Sequence, residues 1–222
     1  MKLTKAKLIK AVRPELEALG YIFLKDTISG AQGLFGKKID SDMYLMLGLT
    51  IHRFYDDQFT GDFYLSTNTL IYAGWGDIPF MECCRRPGCL LAEDKLVELT
   101  GEPIPDIWWE GLKKDGVKSF IEIIKETECL MVGNDDLKVK IRKSLDACKI
   151  SDRAKKIKLL VSNNANLDGD YSYLPSKEID GIPMIWFKAT ERTLIESGEL
   201  KNSQIIKMYA AEAYHQYILD TQ

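Results

Sequence analysis

Cys83, Cys84 and Cys89 fall within seven residues, in the run Cys-Cys-Arg-Arg-Pro-Gly-Cys. Thiols this close together suggest a metal site, but structural zinc takes four tetrahedral ligands, normally as two spaced pairs. Cys129 and Cys148 are distant, neither His52 nor His215 is near in sequence, and adjacent cysteines point in different directions. The expected role is that of free thiols acting as small hydrophobes, with no metal and no cofactor. A second oxygen-rich run, from Asn164 to Ser172, places side-chain oxygens at alternate positions with Gly169 sixth. An EF-hand shares that layout, but its twelfth position requires a bidentate glutamate and here it is Pro175. The run reads as a polar turn.

Phosphate and hydrolytic chemistry find no better support. Gly30, Gly33 and Gly36 precede Lys37 without Walker or dinucleotide spacing, and they lead into a strand pattern rather than a helix. No helix N-terminus would then face an anion there. A Gly-x-Ser-x-Gly elbow is absent, so nucleophilic catalysis would rest on His52 or His215 alone. Both sit in patterns that favour a structural role.

Charge is more informative. The net charge of −3 argues against a dedicated nucleic-acid binder. It also conceals a division. Residues 40–110 hold 13 acidic and four basic residues, a net of −9, and the remaining chain carries +6. Residues 138–158 alone hold nine basic residues against Asp146 and Asp152. Such asymmetry bears on partners rather than on fold. The acidic segment is suited to docking a basic protein, through Asp56, Asp57 and Asp62 with Tyr64 on the same hairpin and Trp109 beside it. Tryptophan is enriched in binding hot spots, and Trp108-Trp109 cannot both face inward because neighbouring residues point apart. The basic segment has no aromatic residue for base stacking, so a solvated helix face is expected there.

The elements that must position these residues follow from periodicity. Thr4 to Leu19 reads as a helix with Leu8, Ile9, Val12, Leu16 and Leu19 on one stripe, capped by Thr4 and stopped by Gly20. Pro14 within it predicts a kink or two short helices. The period then changes to two. Tyr21–Lys25, Gly33–Ile39, Tyr44–Tyr55 and Asp62–Tyr72 read as strands, with residues 56–61 as the hairpin turn between the last two. Short connections favour antiparallel pairing. Helices are expected over Glu93–Thr100, Asp115–Leu130, Asp135–Cys148, from Ser151 onward and over Ser203–Leu219, with a late strand at Ile182–Phe187. The fold class is α+β: an antiparallel sheet with an N-terminal helix, followed by a mainly helical C-terminal half. The two regions divide as residues 1–114 and 115–222, packed as one globule.

The lysines spread through the first dozen residues leave no apolar stretch for a signal peptide. The longest uncharged run, Phe63 to Gly76, is 14 residues, against the roughly 20 apolar residues a membrane span needs. Five cysteines are an odd number, so a disulfide framework would leave one over. A cytoplasmic protein with reduced thiols and no membrane partner is expected.

Gly20-Tyr21-Ile22-Phe23 after the opening helix, then Cys84-Arg85-Arg86-Pro87-Gly88-Cys89-Leu90-Leu91, then Asp106-Ile107-Trp108-Trp109, form an ordered set. The set resembles a bacterial family known only as a domain of unknown function, over roughly residues 2–114. Its members carry a helix ending in Gly-Phe, an Arg-x-Gly segment and a later tryptophan pair; here Pro87 stands where an apolar residue precedes the glycine. The resemblance implies an immunity-protein-like binder that neutralises a toxin, not an enzyme. The function expected is therefore a non-catalytic protein-binding module acting on a basic toxin through an acidic surface. The alternative is a carboxylate- or metal-dependent enzyme using Asp40, Asp42 or Asp62, and a third reading gives residues 138–158 to nucleic acid.

Overall fold

The computed structural model describes residues 2–25, 31–69, 81–144, 151–165, 167, 174, 177–179, 181–198 and 202–222. Helix α1 (Lys5–Ala18) begins at Thr4, whose hydroxyl accepts from the Lys7 amide at 3.3 Å. That contact satisfies one of the donors every helix start leaves open. Leu8, Val12 and Leu16 are fully buried, and each contributes roughly 1.5–3 kcal/mol by leaving water. This stripe holds one helix across exposed Pro14, where the sequence predicts a kink or a break. The helix ends at Gly20, whose φ of +83° allows the Tyr21 amide to return to the Leu16 carbonyl at 3.1 Å.

Four strands then form an antiparallel meander: β1 (Ile22–Leu24), β2 (Gly33–Asp40), β3 (Met43–Ile51) and β4 (Gln58–Ser66). The register pairs Phe35 with Leu47 and Leu47 with Phe63. Two short strands share the outer edge of β4. β5 (Cys84–Arg85) pairs with Phe63 and Tyr64, and β6 (Trp109–Glu110) pairs with Gln58 and Phe59. Between them lie a 3-10 turn over Pro87–Leu90 and helix α2 (Glu93–Thr100).

Alternation along the strands sorts side chains to two faces. Phe35, Leu45, Leu47, Leu49, Phe63 and Leu65 face α1, α3 (Lys114–Val132) and α4 (Asp135–Ser144). One hydrophobic cluster therefore runs from Leu3 to Ile141. The other face, Leu34, Tyr44, Met46 and Tyr64, is buried too, beneath Leu219 of the last helix. Gly36 permits that approach, because a Cβ there would sit 2.7 Å from Met46 Sδ and 3.1 Å from Leu219 Cδ1. A sheet covered on both sides explains why β3 is apolar almost throughout.

The C-terminal region comprises α5 (Ser151–Asn164), the small hairpin β7 (Glu178–Ile179) and β8 (Ile182–Pro183), α6 (Met184–Glu196) and α7 (Ser203–Asp220). Its own cluster gathers Ile157, Leu160, Trp186, Ala189, Ala210 and Ala213. The strand expected at Ile182–Phe187 is only two residues long before α6 begins. The aromatic run looks β-like, but Trp186, Ala189, Thr190 and Leu194 repeat at helical spacing and are buried together. Among the described residues no helix is long and apolar enough to cross a membrane.

Candidate functional site

The connection between β3 and β4 is held from inside by His52. Its Nδ1 accepts from the amides of Phe54 and Tyr55 at 3.0 and 3.1 Å. The His52 amide donates to the Gln58 carbonyl at 2.8 Å and closes the turn. Outside it, the Asp56 carbonyl accepts from the Leu3 amide at 2.6 Å and the Asp57 carbonyl from the Gly111 amide at 2.7 Å. The tip is thus fastened just before α1 and just before α3. The turn lies over residues 52–57, not 56–61, because Phe59 to Gly61 already pair with β3 and Gln58 with β6.

This fastening leaves two aromatic rings in solvent, Phe54 at 80% and Tyr55 at 59% exposure. The His52 ring lies 4.5 Å from Tyr55 and 4.4 Å from Trp108, measured between centroids. Arg86 stacks on Trp108 at 5.1 Å and pairs with Asp106, while its Nε lies 3.5 Å from Asp62. Single exposed apolar residues are ordinary, but adjacent aromatic rings on a braced tip form a patch. Exposed Arg53 and Asp56, with half-buried Asp57, supply charge around it.

The site residues expected from sequence divide between surface and core. Asp56 and Asp57 are on the tip, and Asp62 lies on the strand behind it, where burial raises its carboxyl above the usual aspartate range against the pull of Arg86. Tyr64 is 6% exposed and lies under α7 with Tyr44 and Met46, so it is not available for docking. Trp109 is 4% exposed, with its ring 5.0 Å from Phe120 in the main core. The tryptophan on the candidate surface is Trp108 instead, since β6 directs its first residue inward and leaves its predecessor outside. The strand pattern runs through Phe54 and Tyr55 and places His52 within the strand, so it marks none of the three as a turn residue. The available signal was the break in alternation after His52, where aromatic residues occupy a turn.

The other candidate chemistry is occupied within the chain. Arg142 Nη2 lies 2.8 Å from both Asp40 Oδ2 and Asp42 Oδ1, and its Nε is 3.0 Å from Asp42 Oδ2. These contacts hold the Asp42 carboxyl below its ordinary value; at Asp40 the Ser41 amide contributes most and Arg142 next. The cation beside this carboxylate pair is therefore the protein's own guanidinium. Lys140 likewise meets Glu82 at 3.1 Å. The acidic and basic segments are in part each other's partners.

Cys83 and Cys84 are buried and Cys89 and Cys129 exposed, and none of the four forms a disulfide. Burial pushes the Cys84 thiol up to about 11. Among the described residues no three metal-ligating side chains come together. Cys148, Trp75, Gly30 and most of the EF-hand-like run lie outside the described residues. No protein-family model, no curated protein and no solved structure matches the chain.

Proposed function

We propose that this chain is a non-catalytic protein-binding module that grips a basic protein with the tip of its β3–β4 hairpin. One observation carries the reading. Phe54 and Tyr55 are held out in water on a turn braced by His52, Leu3 and Gly111, at the cost of exposing apolar surface. Aromatic and arginine side chains dominate binding energy at interfaces, and a pre-formed loop loses little entropy on docking. Asp56 and Asp57 beside the rings favour a positively charged partner and a fast encounter. The resemblance of the N-terminal half to a family with immunity-protein-like members supports a toxin as that partner, met in the cytoplasm where the thiols stay reduced.

The native full-length chain is compared with Phe54→Ala/Tyr55→Ala and with Asp56→Lys/Asp57→Lys as immobilised baits in lysate of the native host. A stoichiometric basic protein retained by the native chain and lost with the aromatic pair is the expected result. The aspartate reversal slows its association at low salt. Recovery of no such protein, of an acidic one, or of the same amount by all three baits overturns the proposal.

A further inference from the structure

A second surface lies beside the hairpin and has the opposite charge. Helices α1 and α3 enclose an open groove of about 930 Å³, lined by six lysines and three carboxylates. A local excess of three positive charges on a chain of net −3 is a concentrated feature. Among the described residues Lys7, Lys10, Lys114 and Lys125 of this lining have no ion pair; the remaining two pair as Lys113 with Glu110 at 2.8 Å and Lys118 with Glu122 at 3.7 Å. The floor is apolar, formed by half-buried Ala11 from α1 and half-buried Val117 from α3, above Ile121, which belongs to the main core.

We infer that this groove seats one acidic amphipathic helix from a protein partner. Val117 and Ile121 are four residues apart and Lys114, Lys118 and Lys125 flank them, so the α3 wall repeats at the helical period over eleven residue steps. At 1.5 Å per residue that is about 16 Å, or three turns of an occupant. Apolar residues set between lysines receive the apolar stripe of a further helix, and the lysines meet its carboxylates. A flat bilayer does not reach the floor of a concave groove. Nucleic acid finds no aromatic side chain in the lining on which to stack. The inference stands apart from the hairpin reading, because no residue of the 52–57 tip lines the groove.

The test uses the full chain and a fluorescein-labelled synthetic 14-residue peptide of Leu and Glu, patterned as an amphipathic helix. Its controls are a scrambled peptide of the same composition, vesicles of phosphatidylserine in phosphatidylcholine, and oligo(dT). Saturable binding of the patterned peptide, at least tenfold tighter than the scrambled one, is expected by anisotropy. Lys10→Glu/Lys114→Glu/Lys125→Glu weakens it at least tenfold, and a Leu-Lys version of the peptide recovers binding to that variant. Ala11→Phe fills the floor and blocks binding with no change of charge, which covers the case where the triple variant does not fold. Phe54→Ala/Tyr55→Ala leaves peptide binding unchanged. Equal affinity for both peptides, indifference to both groove variants, or tighter binding to vesicles or oligo(dT) overturns the inference.

Discussion

Arg142, on α4, clasps Asp42 at the β2–β3 turn through two of its nitrogens, at 2.8 and 3.0 Å, across 100 residues of sequence. The contact joins the most acidic stretch of the chain to the most basic one. Charge that the sequence assigns to partners is used here to dock α4 against the end of the sheet, with Lys140 and Glu82 alongside.

The Arg142–Asp42 pair has a defined pH dependence. Asp42 has a folded pKa below its ordinary 3.8, so its contribution is present above that value and is lost as pH falls through the lowered one. Arg142→Ala lowers stability near neutral pH, and the gap from the native chain narrows below about pH 4. Urea midpoints measured across that range check both statements. A constant gap would mean the pair does not act through the aspartate charge.

Asp62 behaves in the opposite sense. Burial raises its folded pKa above 3.8, so the folded state holds its proton longer than the unfolded chain does. Stability from this group is present below that value and is lost as pH rises through the folded pKa. Asp62→Asn removes the loss while Arg86 keeps Asp106, so the variant gains on the native chain as pH rises through the raised Asp62 pKa. Parallel denaturation curves at acid and neutral pH measure the difference.

The adjacent tryptophans separate stability from binding. Trp109→Ala costs about 3–5 kcal/mol, the usual range for truncating a buried aromatic ring. Its loss would leave a void beside Phe59 and Phe120. Trp108→Ala costs less, since that ring is half-buried and touches His52 and Arg86 at the surface. Thermal melts and partner capture should rank the two variants in opposite orders.

Gly88 is a packing site with no spare room. A Cβ there would lie 2.2 Å from the Pro105 carbonyl oxygen, which is backbone and does not rotate away. Gly88→Ala therefore separates the Pro87–Leu90 turn from the segment before β6 and lowers Tm by several degrees, at about 1–3 kcal/mol of overpacking. Gly101→Ala finds no atom within 4 Å, and its cost comes only from the backbone at φ +82°. Calorimetry of the two variants distinguishes a clash from conformational strain.

The thiols differ enough to be told apart by labelling. Cys89 and Cys129 are exposed, while Cys84 is buried with its thiol raised to about 11. Maleimide at neutral pH modifies the first two within the native state and reaches Cys84 only when the chain opens. Peptide mapping after timed quenching shows the order.

Local pattern carried much of this fold. The stripe of Leu8, Val12 and Leu16, the alternation of Leu45, Leu47 and Leu49, and the caps at Thr4 and Gly20 are contacts between near neighbours, so their periods can be read directly. The span Glu93–Thr100 is predicted and observed with the same ends. Reading failed where a distant element decided the outcome. Tyr64 reads as a hairpin surface residue and is buried because α7 returns across that face from about 150 residues away. Ile182–Phe187 reads as a strand and becomes mostly helix because α5 and α7 offer it a helical groove.

Taken alone, the order of residues determined most of the helices and the strands of the meander, that neighbouring strands run antiparallel, and how many charges of each sign each stretch carries. Those properties depend on spacing along the chain. Tertiary structure decided which charges face water and which meet each other, which of Trp108 and Trp109 is buried, and that Phe54 and Tyr55 stand at a surface tip. Burial and ion pairing are set by what arrives from elsewhere in the chain, and no local period encodes the arrival of Arg142 at Asp42 or of Leu219 at Met46.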